Sequence, residues 1–435
     1  MSGALDVRTS VPGVSVWIGE VAQLCGRWQA SLSWLLLAVS IPLLLHKERR
    51  GAAVLLVVAM SLLTGVLLAS ATQARATVPA ALVEQTLPLQ LVVDRPSKPS
   101  ASQRWSLATT IVAAGPTPLA ARAILMTDTR SDWPVGSTLG VRGVISPGKT
   151  PLSYFVSVRG PPNVAPPQGL AAAAAEVRSG LLGVVRERAG GALVAGLTVG
   201  DESLQSAELA ASMQQSGLAH LTAVSGGNIA IVLLLTWGVV RFFTPAIAPQ
   251  VCAGTGAILG YSLLVGPQPS LLRAALMGAV LVFSLIRGGP TTGLPALGTA
   301  VWLLLLLDPG LAVSLGFLLS VVATAGLILL TPVVTSVLRR AAVIERLPRR
   351  LVQAAVVAPV AYLATLPVLA VHGLATSLSA IPANLLAAPA VPLVTVSGLL
   401  ATVAAPASEP LAQLLVVPGL EGAVWIERVA EVFGG

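Results

Sequence analysis

Of the 435 residues, 55% are apolar and 10% charged, with a mean hydropathy of +0.85, which excludes a water-soluble globule and describes a polytopic α-helical membrane protein. The formal charge of +8 comes from 26 Lys and Arg against 18 Asp and Glu, and it acquires meaning once each cation is assigned to a side of the membrane. Two cysteines, Cys25 and Cys252, offer neither a disulfide framework nor metal-ligand spacing; both read as packing residues, and no metal or cofactor is expected.

In chain order, the first roughly thirty residues lack the basic start and early apolar core of a cleaved signal peptide. Residues 28–45 and 52–70 then read as a two-helix membrane hairpin around the basic turn Lys47, Glu48, Arg49, Arg50, which makes residues 1–70 an N-terminal anchor. From 71 to 168 the texture changes to short alternating segments broken by Pro, Gly, Ser and Asp, the pattern of an all-β domain outside the bilayer. Five strands are predicted, at 89–93, 104–113, 120–128, 136–145 and 153–159, a number that fits a small OB-like barrel among other β folds. Residues 161–169 read as a Pro-rich linker. The Ala-rich stretch 170–188 reads as an amphipathic helix leading back to the membrane.

A second membrane section occupies residues 169–435, with spans predicted at 221–240, 247–266, 270–286, 293–307, 311–331 and 352–371. The segment 381–406, interrupted by Pro382, Pro389, Pro392 and Pro406, reads as a discontinuous helix. Placing the basic turn 47–50 on the cytoplasmic side puts the β domain outside. The same phase then places Arg241, Arg287 and the cluster Arg339, Arg340, Arg346, Arg349, Arg350 inside, and the turns 266–269 and 308–310 outside.

Sidedness makes the charge of the β domain informative. Between residues 71 and 170 nine cations stand against four anions, an outward-facing excess that positive-inside sorting does not produce. Arg95, Lys98, Arg104, Trp105, Arg122, Arg142, Lys149 and Arg159 are the candidate nucleic-acid-binding residues, because a basic groove interleaved with aromatics holds single-stranded nucleic acid. The competing reading makes Trp105, Trp133, Tyr154 and Phe155 barrel core and the arginines solvated surface.

The segment GLAHLTAVSGGNIAIVLLLTW at 217–237 opens an apolar span with a polar cluster. Thr222, Ser225 and Asn228, three apart, share one helical stripe, while Gly226 and Gly227 leave room for a neighbouring backbone. Such a stripe either lines a wet path or hydrogen-bonds a packed helix. His220 reads as an interfacial hydrogen-bonder. Gln268, Ser270 and Arg273 open a later span, where Arg273 either snorkels to the surface or faces a path and attracts phosphate. Asn384 is a further polar residue at membrane depth. Asp201, Glu202 and Glu208 read as capping and solvating an outside helix, with paired-carboxylate hydrolysis as the minor alternative.

The stretches GLTVGDES (196–203), SGLAHLTAVSGGNIAIV (216–232), GPQPSLLRAALM (266–277), DPGLAVSLGFLLSVVATAGLILL (308–330) and HGLATSLSAIPANLLAAPAVPLVTVSGLL (372–400) resemble, in order and spacing, the ComEC family of competence proteins. The AVSG motif followed by QPS-x-x-R-A is specific, although Ser225, Gly226, Gly227, Asn228 stand where the familiar form reads Ser-Gly-Leu-His. The resemblance implies a channel that imports single-stranded transforming DNA across the bacterial cytoplasmic membrane. The expected path is lined by His220, Thr222, Ser225, Gly226, Gly227, Asn228, Gln268, Ser270, Arg273 and Asn384, with the external β domain receiving DNA. It also implies a DNA receptor, a cytoplasmic ATP-driven motor, a separate nuclease and membrane lipid as partners, and leaves homo-oligomerisation open. Many members continue into a metallo-β-lactamase-like domain; His46, His220 and His372 are too widely separated to build its metal site, so a non-enzyme is expected. No G-x-x-x-x-G-K-[ST] phosphate loop occurs to power transport. A secondary transporter of a small anion and an intramembrane serine hydrolase using Ser225 are the rival classes.

Overall fold

A computed structural model of the protein describes residues 77–99, 104–128, 130–148, 153–222, 224, 226–266, 269–286, 293–340, 348–374 and 377–434. The predicted hairpin within residues 1–70 lies outside the described residues.

The β domain is a closed barrel. Its strands are β1 (Thr86–Val93), β2 (Lys98–Pro99), β3 (Trp105–Ala114), β4 (Thr117–Thr127), β5 (Thr138–Pro147), β6 (Ser153–Val158) and β7 (Asn163–Ala165). The order runs β1-β3-β4-β6-β5, and β5 returns to pair with β1, so the five long strands have no free edge between them. All these pairings are antiparallel except β4 with β6. Alternation supplies the core: Leu89, Leu91, Val93, Leu107, Ile111, Ala121, Ala123, Leu125, Leu139, Val141, Ile145 and Val156 point inward, while Arg122 and Arg142 stand on the outer face of the same strands. The β3–β4 turn is the pair Gly115-Pro116; Gly115 at φ +58° occupies the left-handed region that glycine accepts without a steric penalty.

The five predicted strands therefore exist, each within three residues of its expected start. The Pro-rich linker is corrected in part, because Asn163–Ala165 forms β7 against β5. Its three residues are all exposed, so no alternation marked it.

The helical region begins with α1 (Leu170–Val185), α2 (Gly191–Val199), α3 (Ala207–Gln215) and the single turn α4 (Ala219–Thr222). The longer helices follow: α5 (Gly226–Phe243), α6 (Ile247–Val265), α7 (Pro269–Ile286) and α8 (Gly293–Leu307), then a 3-10 turn at Pro309–Val313, α9 (Leu315–Leu338) and α10 (Arg349–Val371). The chain closes with α11 (Ala380–Ala387), α12 (Ala390–Ala404), α13 (Glu409–Leu415) and α14 (Val417–Gly434). Among the described residues α5, α6 and α9 are long and apolar enough to cross a membrane, and α11 with α12 forms a fourth apolar unit bent by 47°. This is a membrane protein, and the bend bears out the discontinuous helix expected from the prolines.

The helical core is organised around α2. Its sequence GALVAGLTV is apolar on every side, and α1, α4, α12 and α14 pack around it, so every residue from Leu193 to Val199 is buried. Small residues set the spacing. A Cβ at Gly398 of α12 would lie 2.0 Å from Thr198 Oγ1 of α2, and one at Gly326 of α9 would lie 2.5 Å from the Cβ of Ala364 on α10. Cys252, expected as a packing residue, is instead exposed on α6.

Candidate functional site

The carboxyl end of α2 organises the polar residues of the AVSG segment. A helix leaves its last carbonyls without intrahelical donors, and here neighbouring helices supply them. Asn228 Nδ2 donates to Leu197 O at 2.6 Å, and Tyr261 Oη donates to Thr198 O at 2.9 Å. Asn228 is 3% exposed, so the pair is a satisfied polar contact in an apolar seam. Thr222 Oγ1 donates to Glu202 Oε1 at 2.8 Å, and Ser270 Oγ donates to Val224 O at 2.9 Å. The start of α5 and the residues just before it are thus tied to α2 and α7 by side-chain hydrogen bonds, while α6 is tied to the same end of α2 through Tyr261.

Arg273 completes this cluster. It is 7% exposed; its Nε donates to Ser320 Oγ of α9 at 3.0 Å and its Nη1 lies 3.4 Å from Met277 Sδ. The snorkelling alternative is corrected: α7 is turned so that the guanidinium enters the helix bundle. Among the described residues no carboxylate lies within ion-pairing distance of it. Gly226 permits the approach, since a Cβ there would stand 3.2 Å from Ala274 Cβ and 3.7 Å from Arg273 Nη2.

The structure therefore brings Thr222, Gly226, Asn228, Ser270 and Arg273 together. Gly227 faces outward on α5. His220 and Asn384 form a second group, both at the carbonyl of Gly217: Nδ1 of the histidine lies 3.1 Å from it and Nδ2 of the asparagine 3.5 Å. Ser225 and Gln268 lie outside the described residues. Tyr261, Glu202 and Ser320 join the seam without having been singled out for it; a Tyr in an otherwise apolar span was the available signal for the first.

The acidic segment after α2 also differs from expectation. Glu208 lies in the first turn of α3, behind the cap in which Ser206 Oγ accepts from Leu209 N. Asp201, however, is 3% exposed, with Oδ1 accepting from Ser203 N. Glu202 bridges Thr222 and, at 3.8 Å, Lys98 of the barrel. Both were read as solvated, and both are interface groups.

Several barrel cations face these groups. Arg122 pairs with Asp308 in the turn after α8, and Arg130 Nη2 donates to Ser203 Oγ at 3.3 Å. Burial pushes the Arg95 guanidinium below its ordinary pKa, with Glu202 acting in the opposite sense. Arg104 pairs with Asp128 on the barrel itself at 2.8 Å. Arg142 and Arg159 are exposed beside one another, where Arg159 N donates to Arg142 O at 2.7 Å. Trp105 is half-buried at the end of β3; Trp133 and Tyr154 belong to the barrel core, with Tyr154 Oη accepting from Val78 N. Lys149 lies outside the described residues. Among the described residues no group of three His, Cys, Asp or Glu side chains is placed to hold a metal ion.

Comparison with known proteins gives one family and two curated relatives of note. The family model described as "Competence protein" matches residues 197–435, which includes the whole polar seam. ComE operon protein 3 of Bacillus subtilis (strain 168) is 27% identical over 211 residues, covering 45% of this chain and 24% of that protein. Uncharacterized protein YcaI of Escherichia coli (strain K12) is 30% identical over 243 residues, covering 51% of this chain and 30% of that protein. The matched part spans about a quarter to a third of the length of these relatives. No solved structure matches.

Proposed function

The chain belongs to the Competence protein family, and from that premise we propose that it is the membrane channel through which single-stranded DNA enters the cytoplasm. The observation that carries this reading is Arg273. A guanidinium buried among helices, and held by a hydroxyl and a thioether in place of a carboxylate, is a stationary positive site at membrane depth. A polyanion moving past needs weak and repeated contacts of this kind, since tight binding would stop conduction. Thr222, Ser270 and Asn228 hold the closed seam with donors committed to Glu202, Val224 O and Leu197 O, and movement of α7 against α5 would open the seam and release the Ser270 hydroxyl.

The barrel is the proposed receiving domain. Counting its five long strands in order, the closure is 1-2-3-5-4-1 with strands 3 and 5 parallel, which supports an OB-like assignment. Arg142 and Arg159 are its exposed cations for DNA, whereas Lys98 and Arg122 are committed to the helical region. Localisation in the bacterial plasma membrane with the barrel outside, a cytoplasmic ATP-driven motor, a DNA receptor and a separate nuclease complete the proposal. The channel itself performs no chemistry.

The test is uptake of labelled DNA into the cytoplasm of cells in which the gene is deleted and complemented. Arg273→Leu and Asn228→Leu are expected to abolish uptake at unchanged protein level in the membrane, with Arg273→Lys retaining part of it. Unchanged uptake in Arg273→Leu removes the residue from the path. No loss on deletion favours the small-anion transporter, whose bent helices the α11–α12 unit shares.

A further inference from the structure

Where the barrel meets α1 and the end of α6, the structure forms a half-open cavity of about 400 Å³. Its walls include Trp133, Ala171, Ala175 and Leu264, so most of its lining is apolar. Two residues of that lining each carry a buried polar atom with no hydrogen-bond partner, Arg178 at Nη1 and Ser131 at Oγ. Arg178 is 6% exposed, and its Nη2 donates to the carbonyl of Leu264. Leaving a buried guanidinium nitrogen unpaired is costly, more so than for a neutral donor. Ser131 belongs to the barrel and Arg178 to α1, so the cavity takes an unpartnered donor residue from each of the two domains.

We propose that this cavity binds a phosphodiester, the headgroup of a membrane phospholipid. The charge distribution selects a single negative charge. Asp132 on the rim is already paired with Arg130 at 2.9 Å and Arg186 at 3.4 Å. Asp201 also lines the cavity, with Oδ1 accepting from Ser203 N; its charge disfavours a dianion. Burial lowers the pKa of Arg178 and Asp201 opposes this, while an arginine remains cationic at any physiological pH. Arg178 Nη1 and Ser131 Oγ then donate to the phosphate oxygens. The cavity abuts Ser262, Leu263, Leu264 and Gly266 at the end of the membrane-length helix α6, which places its mouth at the depth of lipid headgroups. A nucleic acid strand needs a continuous groove, and this space holds one headgroup. The proposal is independent of the DNA path through Arg273.

The experiment uses the full chain, purified and stripped of lipid in detergent, with tryptophan fluorescence reporting through Trp133. Dihexanoylphosphatidylglycerol is titrated beside dihexanoylglycerol, which lacks the phosphate, and dimethyl phosphate, which lacks the chains. Saturable binding of the first without a response to the second is expected. Arg178→Met should weaken it about tenfold or more, and Ser131→Ala about threefold. Ala175→Leu narrows the cavity while retaining the guanidinium, and should weaken binding even if Arg178→Met fails to fold. Equal saturation by dimethyl phosphate would support the phosphate site with free phosphodiester as its source. Wild-type affinity in both Arg178→Met and Ala175→Leu, an equal response to dihexanoylglycerol, or displacement of the lipid by a single-stranded oligonucleotide overturns the proposal.

Discussion

Replacing Gly398 by Ala tests whether α2 is the packing centre of the helical region. The new Cβ would lie 2.0 Å from Thr198 Oγ1 and 3.0 Å from both Thr198 Cβ and Cγ2. Thr198 is fully buried, its β-branched side chain has few rotamers to retreat into, and its carbonyl is held by Tyr261. Overpacking of this kind costs about 1–3 kcal/mol, and three contacts at or below 3.0 Å place Gly398→Ala near the upper end. Thr198 Oγ1 has no hydrogen-bond partner, so Thr198→Ala loses packing and no hydrogen bond, at a cost of about 1 kcal/mol. In the double variant the methyl introduced on α12 would enter the vacated space, so the two costs should fall short of adding by about 1–2 kcal/mol. Unfolding of the purified protein by SDS in mixed micelles, followed by circular dichroism, measures all four corners of the cycle. Additive costs, or a Gly398→Ala loss below about 0.5 kcal/mol, the range of an ordinary surface substitution, would refute the close approach of α2 and α12.

Three further outcomes are expected. Burial raises the Asp94 carboxyl above its ordinary pKa despite the hydrogen bond from Thr110, so this group is more protonated in the folded than in the unfolded state just above about pH 4, and its contribution to stability falls as pH rises through that window. Asp94→Asn should lessen that fall, and thermal unfolding of both proteins from pH 3 to 7 would expose the error if the difference between them ran the other way. Tyr261→Phe removes the hydroxyl donor to Thr198 O and should cost about 0.5–1.5 kcal/mol in the same SDS assay, with a coupling to Asn228→Leu because both side chains serve the same helix end. The half-exposed pair Arg122 and Asp308 should show a double-mutant coupling of about 1 kcal/mol or less that fades with added salt; a larger, salt-insensitive value would contradict its exposure.

The barrel was legible because its information is local: alternation with period two fixes which face of a strand is buried, and five segments carried that pattern. The helical spans were legible from length and hydropathy, and the kink between α11 and α12 from its prolines. Helix rotation was not, since it is set by neighbours that a sequence does not display. Arg273 sits one turn inside a helix whether it snorkels or turns inward; the position of Ser320 on α9 decides. Glu202 looked solvated for the same reason, because its partners lie on α4 and on a barrel distant in sequence. A uniformly apolar segment such as α2 carries no periodicity from which a partner could be read.

Sidedness can be argued further from contacts than from charge alone. The barrel reaches Glu202 beside the start of α5 through Lys98, the turn after α6 through Asp94, whose carbonyl would be 3.4 Å from a Cβ at Gly266, and the turn after α8 through Arg122 and Asp308. These three points therefore share one side of the helical region. Arg241 at the end of α5, and Arg339 and Arg340 after α9, occupy the opposite ends of the same helices. Basic loops are retained in the cytoplasm, which supports the proposed placement of the barrel outside. In a background with both native cysteines replaced by Ser, Arg159→Cys on the barrel should react with a membrane-impermeant maleimide in intact cells, and Arg241→Cys should react only after the cells are opened. The reverse pattern would invert the molecule and overturn the proposed direction of transport.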